Sequence, residues 1–308
     1  MKTWCVPAYA KINLGLRILG KRPDGFHELE TYFLQIDLAD RLFFEKGELS
    51  GLELTCNRFD LPVDAANLCW RAYELLCAAA QRRLGVRLHL EKNIPVGAGL
   101  GGGSSDAAVT LMALNLLCDL NMSDAALHSL ATQLGSDVPF FLAGGLCLGS
   151  GRGEIITPLS ELPNWEILLI TPAVVVSTVW AYQNYKMSLT NRQKITKLPS
   201  SDFVQLQGHQ LAEACQNDLE AVVFEKYPEL AELKSKLQQA GAVVASMTGS
   251  GSAIFGLFRT RQEAQRGQQL VNRDKQAFLA RPVRWGIRQV YRDYYAALTS
   301  EERSSCSA

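Results

Sequence analysis

The segment from Pro95 to Ser105 limits most strongly what this chain can fold into, because it places five glycines between a strand-like run and a predicted helix. Without side chains, the backbone amides of such a loop can approach an anion closely. The helix that we expect to begin at Ser104 adds unpaired amides and a positive dipole end. A flexible turn is the alternative, but ordering five glycines is entropically costly for a mere connection. The loop therefore predicts a phosphate-binding site.

Two common phosphate-binding motifs do not explain this loop. Gly97, Gly99 and Gly102 match Gly-x-Gly-x-x-Gly, and Asp119 lies twenty residues after Gly99. In a dinucleotide-binding unit, however, the acidic residue ends the second strand, whereas Asp119 follows a predicted helix. The Gly-Lys pair near the N-terminus lacks the following Ser or Thr that a Walker loop places on magnesium. A different phosphate-binding fold is needed.

Composition favours an enzyme that acts on small molecules over a nucleic-acid-binding, secreted or membrane protein. The chain has 308 residues and 47% hydrophobic content, which predicts two domains, and its formal net charge of zero argues against a nucleic-acid binder. Eight cysteines without a Cys-x-x-Cys pair indicate reduced core thiols rather than a secreted disulfide framework. We expect no membrane span and no signal peptide. The expected location is cytoplasmic, with the plastid stroma as the alternative for a trimmed plant form.

Hydrophobic periodicity predicts a mixed α+β layer in each half of the chain. Alternation from Ala10 to Ile18 indicates a half-buried strand with Lys11 and Asn13 on one face. Further strands are predicted at 29–38, 41–46, 52–56, 86–90, 167–170, 242–246 and 253–258, with a strand pair within 146–157. Helices are predicted at 67–84, 104–117, 123–134 and 228–240. Turn residues at 160–163 predict a boundary between domains 1–160 and 161–308, with 188–202 as a polar connection and 300–308 as a frayed tail.

Three separated segments, taken in order, resemble the three sequence motifs of the GHMP kinases. They are AKINL at 10–14 with RPDGFHEL at 22–29, the glycine loop, and MTGSGSA at 247–253. Four pieces resemble more narrowly the members that phosphorylate a cytidine-diphosphate-linked methylerythritol: DGFHEL at 24–29, the triple glycine of the loop, GSDVPFF at 135–141 and NDLE at 217–220. Two positions depart from the family pattern. Tyr9 replaces a usual proline, and Phe26 replaces a common tyrosine, keeping the ring face without the hydroxyl.

The resemblance implies an α+β GHMP kinase fold, with an N-terminal α/β domain, a ferredoxin-like C-terminal domain and a cleft between them. It implies ATP and Mg²⁺ as cofactors, with the magnesium ligands unassigned. It also implies transfer of the γ-phosphate to a 2-hydroxyl in the non-mevalonate isoprenoid pathway. The expected partner is this small molecule, not nucleic acid or membrane, and the oligomeric state stays open between a monomer and a weak dimer. ATP is expected at Pro95, Val96, Gly97, Ala98, Gly99, Leu100, Gly101, Gly102, Gly103, Ser104 and Ser105.

Asp137 and Lys11 are the catalytic candidates. Phosphoryl transfer needs somewhere for the alcohol proton to go, and Asp137 could accept it, although an aspartate before a proline-initiated helix is equally typical of a cap. Lys11 could pair with Asp137 and offset phosphate charge, or be an ordinary solvated strand lysine. The resemblance favours the catalytic roles. Asn13, on the same face, is a candidate hydrogen-bonding partner for substrate.

The resemblance assigns recognition of cytosine to His27, with Phe26 stacking on the base together with an aromatic residue of the second half. Tyr182 is the candidate for that second ring. Tyr182 or Trp180 filling the core is the alternative, and no metal-ligand spacing surrounds His27. The remaining substrate-binding candidates form the third motif, which a hairpin turn would also explain: Thr248, Gly249, Ser250 and Gly251. Rival functions are another GHMP activity on homoserine or mevalonate, the related diphosphate decarboxylation, or a nucleotide-binding module without chemistry.

Overall fold

The computed structural model describes residues 3–47, 50–159, 164–185, 203–271 and 276–284. The predicted domain boundary at 160–163, the polar connection at 188–202 and the tail at 300–308 lie outside these residues, so the division at residue 160 stays a prediction. Within the described ranges, no helix has both the length and the apolar character needed to cross a membrane.

A six-stranded sheet organises the first half. Its strands are β1 (Trp4–Lys21), β2 (His27–Lys46), β3 (Gly51–Cys56), β4 (Gly85–Glu91), β5 (Leu146–Ser150) and β6 (Ile155–Pro158). They run in the order β3-β4-β2-β5-β6, with β1 antiparallel to β2 and only β3 and β4 parallel among these pairs. The sequence predicted two strands where β2 is one. The predicted interruption at 39–40 is absent because Asp40 keeps strand geometry, and its carboxylate accepts hydrogen bonds from the amides of Asn93 and Ile94.

Four helices of the first half are α1 (Leu68–Ala80), α2 (Gly102–Leu117), α3 (Asp124–Leu134) and α4 (Val138–Ala143). Ser123 caps α3 by accepting from the amide of Ala126, as its position before the helix predicts. The expectation that Ser104 begins α2 is wrong. Gly101, with φ 68°, is the N-cap of α2 and makes no side-chain capping bond. The helix therefore starts two residues earlier than predicted.

The second half forms an antiparallel sheet in a ferredoxin-like arrangement. Its elements are β7 (Glu166–Thr171), α5 (Thr178–Asn184), α6 (Gly208–Ala214), α7 (Glu220–Lys226), α8 (Pro228–Gln239), β8 (Val244–Met247), β9 (Ile254–Phe258), α9 (Arg261–Leu270) and β10 (Gln276–Ala280). The strand order β10-β7-β9-β8, with helices between β7 and β8 and between β9 and β10, is the ferredoxin-like topology. The predicted fold class is confirmed.

One hydrophobic cluster joins the two sheets. Ile12 and Leu34, from β1 and β2, belong to the same buried cluster as Leu169 and Phe255, from β7 and β9. All four side chains are fully buried. Because apolar area removed from water stabilises by about 25 cal/mol per Å², this cluster favours a fixed arrangement of the two halves. The polar residues of β1 lie beside this joint.

Candidate active site

Lys11 occupies a buried position in β1 rather than a solvated one. Its side chain is 4% exposed, so the predicted half-buried character of the strand is wrong here. The Phe33 ring, 5.4 Å from the ammonium, and the turn at Gly101 cover the face that alternation assigned to solvent. The Lys11 amide also donates to the carbonyl of Leu100 at 3.0 Å. This bond ties β1 to the glycine loop.

Asp137 directly precedes α4 and faces Lys11. Lys11 Nζ lies 3.3 Å from Asp137 Oδ2. The Asp137 carboxylate makes no capping bond to α4, so helix capping does not explain its position. It is 35% exposed and lines two adjoining cavities. A carboxylate in such a position can accept a proton from a bound hydroxyl.

Asn13 orients the Lys11 ammonium. Asn13 Oδ1 accepts from Lys11 Nζ at 2.6 Å, and Asn13 Nδ2 donates to Thr31 Oγ1 at 2.8 Å. Thr31 in turn donates to the carbonyl of Gly15 at 2.6 Å, which fixes the direction of the chain of bonds. The side-chain amide of Asn13 is therefore engaged by protein groups and has a structural role, and its contact with substrate stays a prediction.

The turn between β8 and β9 approaches both Lys11 and the glycine loop. Asn13 donates its backbone amide to Thr248 Oγ1 at 2.9 Å. A Cβ added to Gly249 would lie 3.2 Å from Asn13 Oδ1 and 3.7 Å from Lys11 Nζ, and one added to Gly99 would lie 2.6 Å from the Thr248 carbonyl. The segment is a hairpin turn, as one alternative held, and it also forms a wall of the site.

Asn217 fixes this turn from behind. Asn217 Nδ2 donates to the carbonyls of Met247 and Gly249 at 2.8 and 2.7 Å, and Asn217 Oδ1 accepts from the amide of Leu219. Glu220 Oε1 accepts from the amide of Met247 at 2.8 Å. The NDLE segment at 217–220 thus holds the third motif in place.

A cleft of about 390 Å³ lies along the glycine loop. Three glycines of the loop, Gly97, Gly99 and Gly101, have positive φ, which side-chain-bearing residues rarely adopt. Every predicted ATP-binding residue lines the cleft except Ser105, which is buried within α2. Sequence reasoning missed the other residues that line the cleft, which include Leu61, Pro62, Asn67, Leu68 and Lys92.

Two further cavities continue from this cleft. A chamber of about 160 Å³ shares Gly99 and Gly101 with the cleft and contains Lys11 and Asp137. A third cavity, of about 400 Å³, shares Asp137 with the chamber. The Lys11–Asp137 pair therefore lies between the glycine-loop cleft and the third cavity.

The third cavity brings His27 and Tyr182 together. Their ring centroids are 5.4 Å apart with planes inclined at 31°. Burial and the nearby Lys21 lower the pKa of His27, which favours the neutral imidazole. Burial and then Asp137 raise the pKa of Tyr182. Trp180 lies elsewhere, in edge contact with Tyr227.

Arg152 is a site residue that sequence reasoning missed. Its guanidinium carbon lies 3.9 Å from the centre of the Phe26 ring, so one face of Phe26 is covered by a cation. Arg152 lines both the chamber and the third cavity, and its Nε is buried without a hydrogen-bond partner. The flanking Gly151 and Gly153 were the sole local signal. This cation can contact an anionic group that passes between the two spaces.

Among the described residues, no group of three or more His, Cys, Asp or Glu side chains could hold a metal ion. Mg²⁺ bound with a nucleotide is held largely by phosphates and water, so it needs no such protein cage.

Comparisons with known proteins match both halves of the chain to one family. Residues 67–145 match the model of the GHMP kinases N terminal domain, and residues 201–274 match that of the GHMP kinases C terminal domain. The chain is 44% identical over 267 residues to a 4-diphosphocytidyl-2-C-methyl-D-erythritol kinase of Prosthecochloris aestuarii, covering 86% of this chain and 93% of that protein. A protein of the same name from Chloroherpeton thalassium is 43% identical over 260 residues, covering 84% of this chain and 90% of that protein.

A solved structure is similar over nearly the whole chain. The crystal structure of a 4-(cytidine 5'-diphospho)-2C-methyl-D-erythritol kinase superposes with a TM-score of 0.78 at 37% identity, covering 91% of this chain and 99% of that one. Together with the two matched domains, these identities establish the family. The chain belongs to the GHMP kinases, a family of small-molecule kinases.

Proposed function

We propose that this protein transfers the γ-phosphate of ATP to the 2-hydroxyl of 4-diphosphocytidyl-2-C-methyl-D-erythritol. The observation that carries the proposal is the position of the Lys11–Asp137 pair, between the glycine-loop cleft and a cavity containing His27. Relatives with 43 to 44% identity over most of the chain bear the name of that activity. The proposal assigns one reactant to each side of the pair.

ATP binds in the cleft with its phosphates over residues 97–103. The amides there are accessible because the glycines lack side chains, and the N-terminus of α2 adds positive potential. The γ-phosphate then points toward Gly99 and Gly101, which border the chamber of Lys11. The nucleotide thus presents its terminal phosphate to the acceptor.

The acceptor hydroxyl lies in the chamber beside Asp137. Its oxygen forms a bond to the γ-phosphorus while the bond from that phosphorus to the oxygen bridging to the β-phosphate breaks, and ADP leaves. The hydroxyl proton passes to the Asp137 carboxylate, which later releases it to water. Lys11, oriented by Asn13, offsets negative charge on the transferred group. Mg²⁺ bound with ATP supplies further charge neutralisation, and no residue is assigned to it.

The cytidine end occupies the cavity of about 400 Å³. A neutral imidazole at His27 offers one donor and one acceptor, which suits the edge of cytosine, and Tyr182 supplies a ring face. Arg152, between this cavity and the chamber, is placed to contact the diphosphate of the substrate. This arrangement orients the 2-hydroxyl toward Asp137. Part of the proposal is a cytoplasmic location, which suits the free state of the cysteines in the described ranges.

The experiment that tests this function measures ADP formation with separate acceptors. The purified chain, with ATP and Mg²⁺, is given the cytidine substrate, homoserine, mevalonate or no acceptor. We expect ADP formation that depends on the cytidine substrate and is at background with the others. Equal rates with homoserine or mevalonate would contradict the proposal.

A further inference from the structure

A buried pair of side chains, Lys92 and Asp106, joins the two ends of the glycine loop. Lys92 directly follows β4, three residues before Pro95, and Asp106 lies in the first turns of α2, directly after Ser105. Lys92 Nζ lies 2.7 Å from Asp106 Oδ2, and the two side chains are 5% and 4% exposed. The ammonium also lies under the helix start, 3.1 Å from the position of a Cβ on Gly102. The pair therefore holds the loop closed at its base.

Asp40 attaches this base to the central sheet. Asp40 Oδ2 accepts from Lys92 Nζ, while Asp40 Oδ1 accepts from the amides of Asn93 and Ile94 at 2.6 and 2.8 Å. The Asp40 side chain is fully buried. Because β2 also pairs with β1, which carries Lys11, the phosphate loop and the reacting pair share one rigid support.

The cluster contains two carboxylates and one ammonium, and one oxygen has no partner. Asp106 Oδ1 is buried without a hydrogen bond. An ionised carboxylate oxygen in that state is costly, because its lost hydration is not replaced. Burial raises the pKa of Asp106 to about 8. The nearby Lys92 opposes this shift, and the charge of Asp40 adds to it. Cys69 of α1 also lies near Asp106, and burial raises the pKa of its thiol.

We propose that Asp40, Lys92 and Asp106 are positioning residues that clamp the ends of the glycine loop, and that the clamped loop binds nucleotide best when Asp106 carries a proton. The inference rests on ATP binding at this loop, as the proposed function holds. Ionising Asp106 would add a second carboxylate charge against one ammonium at the start of α2. That charge opposes the phosphates, which are themselves anionic and bind at the same helix end.

The charge requirement is tested by the Kd of ATP with Mg²⁺, measured calorimetrically between about pH 6.5 and pH 9.5 without acceptor. For the wild type we expect Kd to rise above about pH 8, by up to about tenfold per pH unit. Asp106→Asn, which stays neutral, should match the wild type near pH 7 and lose this rise. Asp124→Asn, the same change in the first turn of α3, is the matched control and should retain it. A wild-type Kd that does not change with pH, or an unchanged rise in Asp106→Asn, would overturn the charge requirement.

The clamp itself is tested by Asp106→Ala, which removes the bond to Lys92. We expect the Kd of ATP for Asp106→Ala to be at least about tenfold higher than that of the wild type near pH 7. Asp106→Asn at the same pH should bind ATP like the wild type. The two variants together distinguish the loss of the bond to Lys92 from the loss of the carboxylate charge. Wild-type affinity in Asp106→Ala would overturn the clamp. If Asp106→Ala does not fold, Lys92→Met replaces it with the same expectation. A wild type that binds no ATP near pH 7 would instead refute the proposed function.

Discussion

The ammonium of Lys11 lies 3.3 Å from the carboxylate of Asp137, although the two residues come from the first strand of one sheet and the start of a later helix. Asn13 accepts a hydrogen bond from the same ammonium at 2.6 Å. Lys11 is thus held between a neutral amide and a carboxylate. This geometry places the Asp137 carboxylate beside a cation and open to a cavity, where it can accept the proton of a bound hydroxyl.

Asp137→Asn should lower kcat by at least about 100-fold, because the amide cannot accept the hydroxyl proton. ATP binding should be retained, since Asp137 does not line the glycine-loop cleft. Steady-state kinetics together with the Kd of ATP check both expectations. Turnover close to that of the wild type would remove Asp137 from the mechanism.

Gly101→Ala should weaken ATP binding and also lower kcat, each by about tenfold. Gly101 has φ 68°, and an added Cβ would lie 2.8 Å from Phe141 Cζ and 3.1 Å from Lys11 Cε. The side chain would therefore disturb both the loop and the catalytic lysine. Gly20→Ala is the control, because a Cβ there meets nothing within 4 Å. Equal kinetics of the two variants would contradict this account of the loop.

His27→Ala should lower kcat/KM for the cytidine substrate, by an amount that corresponds to a loss of about 1 to 3 kcal/mol of transition-state stabilisation. The Kd of ATP should stay unchanged. The reason is that the base edge would lose its partner in the cavity. His128→Ala, at an exposed position of α3, serves as the control. Phe26→Tyr should be nearly silent, because the ring face beside Arg152 is kept. An unchanged kcat/KM in His27→Ala would remove the histidine from base recognition.

Asn217→Asp should lower kcat roughly 10- to 100-fold, because an ionised carboxylate cannot donate to the carbonyls of Met247 and Gly249 and the turn over Lys11 would shift. Asn115→Asp is the matched control. Asn115 is also a buried asparagine that bonds a loop backbone, at Met122 between α2 and α3. Both variants should lower Tm, but kcat should fall in Asn217→Asp alone. A similar kcat in the two variants would reduce Asn217 to a stabilising role.

Periodicity and glycine content predicted the fold well where local signals decide the structure. The alternation from Ala10 to Ile18, the capping serine at Ser123 and the glycine loop all correspond to elements of the structure. The strand break before Arg41 was wrong because Asp40 is satisfied by backbone amides from a distant segment. Such long-range bonds have no local sequence signature.

In the candidate site, too, the sequence predicted the residues that belong to local motifs and missed the effects of distant segments. The motif resemblance supplied Lys11, Asp137 and His27, and the structure brings all three around connected cavities. The burial of Lys11 could not be predicted, because the groups that cover it come from remote parts of the chain. Arg152 was missed for a similar reason, since an arginine between two glycines is typical of an exposed turn.

The most direct test of the central claim is the position of the transferred phosphate. The wild type and Asp137→Asn are incubated with ATP, Mg²⁺ and the cytidine substrate, and the product is examined by phosphorus NMR and mass spectrometry. We predict one added phosphate, on the 2-hydroxyl of the methylerythritol, formed at least about 100-fold more slowly by Asp137→Asn. Phosphate on another group, or ATP hydrolysis without transfer, would contradict the account.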